Sequence, residues 1–164
     1  MERFLVTHDY GMGALWWWVR ASSAEAVVLA CAEVEVVTSE RVLSWARALD
    51  APLPEVDLDA PHPNPLSSFR ATRDAQRDRP GFGALAGRDR VHLRMEGDAG
   101  AVHLCELGPD GRRLRQIEIA PSGEGVRSGP DDWLFNPPSD LYDPDLAPLE
   151  IPADTFEAAW RTAR

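Results

Sequence analysis

A proline-rich stretch divides this chain into two parts that can carry regular structure. Residues 50–66 contain five prolines, four acidic residues and no arginine. Proline has no backbone N–H to donate, so this stretch is predicted to be an extended connection without ladder hydrogen bonds. A chain of 164 residues has the usual length of one domain. We therefore predict a single domain over residues 1–164, made of an N-terminal half (1–49), the connection (50–66) and a C-terminal half (67–164).

The N-terminal half begins with the pattern of a β-hairpin. Phe4–Val6 and Leu15–Val19 are rich in strand-forming residues, and Tyr10–Gly13 between them is typical of a turn. Trp16, Trp17 and Trp18 lie in the second strand, where consecutive side chains point to opposite faces. Either both faces of this strand are covered by core, or one face presents an indole ring to a partner.

Helix signals recur along the chain. Ser22–Glu25 has the Ser-x-x-Glu spacing of a helix start, and Thr38 or Ser39 can cap a second helix. Residues 67–79 form either an exposed helix or a mobile loop, because Phe69 is their one large apolar residue. Asp154 is expected to cap a last helix.

Alternating apolar residues predict a β-meander in the C-terminal half. Val91–Met95, Ala101–Leu107 and the residues after the Gly108–Gly111 turn form its strands. Pairing Leu107 with Arg112 would place Glu106 opposite Arg113 and gather four apolar residues on one face: Val102, Leu104, Ile117 and Ile119. The predicted fold class is α+β, a mainly antiparallel sheet with a C-terminal meander and three to four helices packed on it.

Composition narrows the chemistry that the chain can perform. All seventeen basic residues are arginine, which excludes a lysine Schiff base or a phosphate-loop lysine. Scarce Asn and Ile, with abundant Ala, Gly, Pro and Asp, indicate a high-GC bacterial genome. Cys31 and Cys105 stand among apolar neighbours and are expected to be buried thiols. The N-terminus lacks the pattern of a secretory signal, and no apolar run is long enough for a transmembrane helix, so a cytoplasmic location is expected.

No complete catalytic, cofactor or metal motif is present. Gly11-x-Gly13 precedes a strand and lacks the third glycine of a dinucleotide fingerprint, and there is no nucleophile elbow. Asp140, Asp143 and Asp145 lack the order of a calcium loop and are typical of Asx turns around Pro144. We therefore predict no catalytic residue, no cofactor and no metal.

Histidines and aromatic residues leave one alternative open. If the fold brought them together between the Trp-rich hairpin and the meander, they could line a pocket for a small molecule or a modest enzyme. The residues of this alternative pocket are His8, Tyr10, Trp17, His92 and His103.

The charge of the chain is unevenly distributed. The net charge is −10, and residues 131–160 carry eight acidic residues and no basic one, whereas seven arginines and three acids occupy residues 66–95. Such an acidic protein is repelled by phosphate backbones and anionic lipid, so no nucleic-acid or membrane partner is expected.

Aromatic residues interleaved with those acids indicate a surface for a basic protein partner. The predicted partner-binding residues are Asp131, Asp132, Trp133, Asp140, Tyr142, Asp143 and Asp145. Within Asp131–Pro138 the aromatic residues are expected to pin an irregular strand to the core.

Two parts of the sequence resemble small proteins of actinobacteria. In the first half these are Tyr10-Gly11-x-Gly13, the Trp-rich strand and Arg20–Ser22. In the second half, the meander with Leu114–Glu118, the Asp-Pro segment and Glu150–Trp160 are similar to small bacterial proteins that resemble immunity proteins of polymorphic toxin systems. This resemblance implies a cytoplasmic immunity-type or antitoxin-type protein that neutralises a basic partner, such as a toxin domain, by binding it.

Overall fold

Two β-sheets organise the chain in the computed structural model, which describes residues 1–164. Met1–Arg79 and Pro80–Arg164 form separate units, each with its own sheet. The chain has four α-helices and two mostly antiparallel sheets, which confirms the predicted α+β class and the C-terminal meander. None of the helices has both the length and the apolar composition needed to cross a membrane.

The first unit is a four-stranded sheet with helices on both faces. Its strands are β1 (Glu2–Asp9), β2 (Ala14–Ala21), β3 (Glu35–Val36) and β4 (Glu55–Asp57), in the order β3-β1-β2-β4. Its helices are α1 (Ala24–Ala30), α2 (Glu40–Arg47) and α3 (Ser67–Arg77). The helix α3, which the sequence analysis grouped with the C-terminal half, lies in this unit.

The side chains of the three consecutive tryptophans of β2 lie on both faces of its sheet. Trp17 packs in the core that also contains Val27 of α1, whereas Trp18 packs in a second core with Ala46 of α2. Both indoles are 6% exposed. Trp16 is half-buried, and its ring meets the ring of Trp45 edge-on at 5.3 Å. Of the two possibilities that the sequence left open, the first is therefore correct for Trp17 and Trp18: each is covered by core, on opposite faces of the sheet.

The proline-rich stretch differs from its prediction, because it contains an edge strand. β4 pairs in parallel with β2 through Trp18–Arg20, and the carbonyl of Pro54 accepts a hydrogen bond from the Trp18 N–H at 2.8 Å. Glu55–Asp57 are free of proline, and Val56 between them is buried in the core. Prolines can flank an edge strand, since only one side of such a strand needs to pair.

Arginines of α3 hold it against the end of α1. The buried guanidinium of Arg73 donates to the carbonyls of Val28 and Cys31 at 3.0 Å each, and Arg77 donates to the carbonyl of Leu29 at 2.7 Å. The last carbonyls of a helix have no partner within it and carry partial negative charge, so guanidinium groups satisfy them well. This packing explains why residues 67–77 form a helix despite their single large apolar residue.

The second unit is an antiparallel meander with one helix on it. Its strands are β5 (Val91–Glu96), β6 (Val102–Leu107), β7 (Arg113–Ile119) and β8 (Gly125–Ser128), in sequence order, and the helix is α4 (Ala153–Thr162). The face predicted from the sequence is confirmed, because Val102 lies opposite Ile119 and Leu104 opposite Ile117. Phe156 of α4 is fully buried against that face.

The predicted pairing at the tip of the β6–β7 hairpin is wrong. Glu106 lies opposite Arg115, not Arg113, because the register shifts between Glu106 and Leu107. Leu107 pairs with Arg113, so β7 carries one extra residue, as in a β-bulge. Gly111 ends the turn at φ +80°, where a Cβ atom would lie 2.1 Å from the carbonyl oxygen of Ser139. The shift brings a guanidinium opposite the Glu106 carboxylate.

We predict that Arg73→Met lowers the free energy of unfolding by about 3 kcal/mol, because it leaves buried helix carbonyls without donors. Urea unfolding followed by tryptophan fluorescence measures this loss. Arg41→Met, at an exposed position of α2, is the matched control and should change stability by less than about 0.5 kcal/mol. Equal, small effects of both substitutions would contradict the role of Arg73.

Candidate interaction surface

The acidic segment begins with a short 3₁₀ turn, Pro130–Asp132, after β8. The carboxylate of Asp132 accepts a hydrogen bond from the Gly129 N–H at 2.8 Å, which closes the turn. Trp133 follows it, half-buried, with its indole N–H donating to the Ser128 hydroxyl at 3.1 Å. The guanidinium of Arg113 lies 4.4 Å from the centre of the Trp133 ring. Trp133 therefore anchors the start of the segment to the second sheet.

Asn136 anchors the other end of the segment. Its side-chain oxygen accepts from the Arg113 N–H at 3.2 Å, and its side-chain amide donates to the Arg113 carbonyl at 2.9 Å. This amide thus pairs with the start of β7 as a neighbouring strand would. Arg112 donates to the Asn136 carbonyl at 2.5 Å, and Arg113 donates to the Phe135 carbonyl at 3.3 Å. The backbone between Trp133 and Asn136 is therefore held at both ends.

Two large apolar side chains between these anchors point into solvent. Leu134 is fully exposed and Phe135 is 58% exposed. The expectation that the aromatic residues of this segment pin it to the core is correct for Trp133 and wrong for Phe135. Leu134 and Phe135 are not among the functional residues predicted from the sequence, although their place between two acids and Asn136-Pro137-Pro138 disfavours a regular buried strand.

Carboxylates flank these apolar side chains. Asp131 and Asp132 are exposed, and neither makes an ion pair with an arginine of this chain. Two other acids of residues 131–160 are paired within the second unit: Glu150 lies 2.5 Å from Arg88, and Glu157 pairs with Arg115. The acidic residues of this stretch thus have different surroundings, and the exposed pair is next to Leu134 and Phe135. We name residues Asp131–Phe135 the acidic tip.

The remaining predicted partner-binding residues form a separate turn region. The carboxylate of Asp140 accepts from the Tyr142 N–H at 3.1 Å, and that of Asp143 accepts from the Asp145 N–H at 2.9 Å. These are the Asx turns expected from the sequence. The Tyr142 ring lies 5.9 Å from the ring of Phe82. Asp140 and Asp143 therefore shape the backbone of this turn region, as Asp132 does at the start of the acidic tip.

A cluster of charged residues, of which His92 and Glu106 are buried, joins α4 to the second sheet. Arg115 on β7 donates two hydrogen bonds to Glu106 on β6, at 2.6 and 3.0 Å, and also binds Glu157 on α4. His92 on β5 lies 3.1 Å from the Glu106 carboxylate. The Arg115 guanidinium also lies 4.9 Å from the ring of Phe156, so that charge pairing and helix packing coincide.

Electrostatics in this cluster follow from the position of Arg115. Its hydrogen bonds hold the pKa of Glu106 below the usual range, against the opposing effect of burial, and they also lower the pKa of Glu157. The potential metal-ligand atoms of His92, Glu106 and Glu157, a ring nitrogen and two carboxylate oxygens, lie within 4.8 Å of one another, a spacing that a metal ion could bridge. The guanidinium of Arg115 already binds both carboxylates and supplies the positive charge between them. We therefore interpret the cluster as a clamp between helix and sheet.

Residues of the alternative pocket lie in both units. In the first unit His8 and Trp17 contact the same ring, Phe69, at centroid distances of 4.7 and 5.5 Å. Tyr10 is 55% exposed in the hairpin turn.

The two histidines in the second unit do not converge. His92 lies opposite Glu106, whereas His103 lies opposite Glu118 and three residues before Glu106 on the same strand. Because side chains alternate along a strand, His92 and His103 point to opposite faces of the sheet.

Neither cysteine has the surroundings of a reactive thiol. Cys31 and Cys105 are fully buried, and burial raises the pKa of each to about 11. The neutral thiol therefore predominates at neutral pH, and nucleophilic chemistry requires the thiolate. Comparisons with family models, curated proteins and solved structures find no match to this chain.

We predict that Glu106→Gln lowers the free energy of unfolding at pH 7 by about 2 kcal/mol, because charge-assisted hydrogen bonds to Arg115 are lost. A lowered carboxylate pKa stabilises the fold above the unfolded value of 4.5, and this stabilisation disappears as the pH falls through the lower, folded value. Urea unfolding at pH 7 and pH 3 measures both effects. The stability difference between the wild type and Glu106→Gln should be smaller at pH 3 than at pH 7, and an undiminished difference at pH 3 would contradict the assignment.

Proposed function

We propose that this chain is a protein-binding protein of the immunity or antitoxin type, which acts in the cytoplasm of a high-GC bacterium and neutralises a basic partner. The acidic tip is its contact surface. The observation that carries the proposal is that Leu134 and Phe135 are exposed on an anchored backbone next to two exposed carboxylates, Asp131 and Asp132, that form no ion pair with an arginine of this chain. Large exposed apolar side chains surrounded by polar groups are typical of protein interfaces.

Charge supports a basic protein as the partner. A chain with net charge −10 attracts a cationic protein over a distance of about 8 Å at physiological salt. Exposed carboxylates at the edge of an interface mainly raise the association rate and make it dependent on salt. The same charge disfavours nucleic acid and anionic membranes as partners.

In the proposed mode of action, this chain inhibits its partner by binding to and covering part of the partner's surface, and it catalyses no reaction itself. In the second unit the buried carboxylate of Glu106 binds the half-buried guanidinium of Arg115, and the cysteine of each unit is a buried neutral thiol. The alternative of a pocket that contains His92 and His103 together is disfavoured, because these side chains point to opposite faces of their sheet. A protein that inhibits by binding needs only a complementary surface and a stable fold.

The experiment that tests this function pairs the chain with the basic proteins encoded by its neighbouring genes. Each pair is co-expressed and purified through a tag on the partner, and growth is scored with and without this chain. We expect one partner to co-purify in stable stoichiometry and its effect on growth to be suppressed. If no basic neighbour binds, the proposed function is wrong.

We further predict that Asp131→Arg slows association with that partner about tenfold at low salt and weakens the dependence of the rate on ionic strength, because charge complementarity steers encounter. Stopped-flow or surface-based kinetics at several salt concentrations measure this. Asp98→Arg, an exposed acid on the β5–β6 turn of the same unit, is the matched control and should change the rate less than threefold. Equal slowing by both substitutions would show that net charge alone, and not the acidic tip, governs the association.

A further inference from the structure

The geometry points to Leu134 and Phe135 as the anchor of this interface, and we infer that they enter an apolar pocket on the partner whose rim carries arginine or lysine. This inference rests on the proposed function and goes beyond it by naming the residues that hold the complex and the kind of pocket that receives them.

Leu134 and Phe135 are the two most exposed large apolar side chains of the second unit, ahead of Val126 at 53%. Leu134 is fully exposed and Phe135 is 58% exposed, so nearly all of the one side chain and half of the other are available for burial by a partner. Their neighbour Trp133 is half-buried and lies under the guanidinium of Arg113. Binding energy in protein complexes concentrates in a few large side chains that fill pockets, and adjacent Leu and Phe residues suit that role.

The backbone of the acidic tip is restrained by hydrogen bonds, which favours binding of a partner at the tip. Asn136 pairs with the backbone of Arg113 through two hydrogen bonds, at 3.2 and 2.9 Å, and Arg112 holds the Asn136 carbonyl at 2.5 Å. Pro137 and Pro138 follow directly and restrict the chain further. Because the tip is ordered before it meets a partner, little conformational entropy is lost on binding.

Charges around the tip define the rim of the receiving pocket. Asp131 and Asp132 are exposed, whereas the nearby guanidinium of Arg113 donates to the Phe135 carbonyl and, at 2.6 Å, to the Gln116 side chain. The arginine charge is thus directed towards this chain's own acceptors, and the unpaired charge next to Leu134 is negative. A complementary pocket therefore has apolar walls and a basic rim.

A second copy of this chain and a lipid surface fit the tip less well. Two copies with net charge −10 repel each other, and an anionic bilayer repels the carboxylates that flank the apolar side chains. Both remain outcomes that the experiment can register.

The test uses the full chain and the basic proteins encoded by the genes flanking its own, each titrated by isothermal calorimetry. The double variant Leu134→Ser/Phe135→Ser should weaken the Kd at least 100-fold. Met12→Ser/Leu15→Ser, at positions of the first unit that are 94% and 44% exposed, is the matched control and should stay within threefold of the wild type. Both variants should retain the wild-type melting temperature, since the replaced side chains are exposed.

Asn136→Ala tests the contribution of the ordered backbone. It leaves Leu134 and Phe135 in place but removes the hydrogen bonds to Arg113, so the Kd should weaken about tenfold while the fold is retained.

Other results separate the inference from the function that it rests on. Tight binding by the wild type that persists in Leu134→Ser/Phe135→Ser would overturn the anchor and leave the proposed function standing. Absence of binding by the wild type to every basic neighbour would overturn both. Self-association of the wild type in sedimentation, or its adsorption to neutral lipid vesicles, that is lost in Leu134→Ser/Phe135→Ser would assign the tip to a second copy or to lipid and overturn the basic partner.

Discussion

Both units depend on arginine guanidinium groups that each bind acceptors from more than one structural element. In the first unit Arg73 binds the terminal carbonyls of α1, and in the second Arg115 binds carboxylates from a strand and a helix. A guanidinium offers five N–H groups in a rigid plane, so one side chain can satisfy several acceptors on different elements. In a chain without lysine, every such cationic contact is made by arginine.

Because many arginines bind acceptors within the chain, the charge distribution along the sequence does not match the charge offered on the surface. The basic stretch at residues 66–95 looks like a cationic surface in the sequence, yet Arg70, Arg73 and Arg77 donate to backbone carbonyls of the first unit. The acidic stretch at residues 131–160 is likewise divided, since Glu150 and Glu157 pair with arginines while Asp131 and Asp132 do not. A count of charges along a sequence therefore overstates the surface that either sign can offer to a partner.

The acidic tip combines order with exposure. Surface loops are usually more mobile than the strands and helices that they connect. Here hydrogen bonds of Trp133 and Asn136 hold the backbone on either side of Leu134 and Phe135, and these two side chains remain in solvent. The acids and Trp133 could be predicted as interface residues, because charge and aromatic character are properties of the residue type. Leu134 and Phe135 could not, because an apolar residue is expected inside a protein until its neighbours are known.

Local patterns in the sequence determined the hairpin of β1 and β2, the meander and the shared face of Leu104 and Ile117, because side chains alternate along a strand whatever surrounds it. Tertiary structure decided the rest. The bulge at Glu106 sets which guanidinium meets that carboxylate, and the core around Val56 makes an edge strand out of a proline-rich connection. Both outcomes depend on contacts between residues far apart in the chain, whose energies no local pattern records. The outward orientation of Leu134 and Phe135 has the same origin, since it follows from hydrogen bonds between Asn136 and a strand that begins 23 residues earlier.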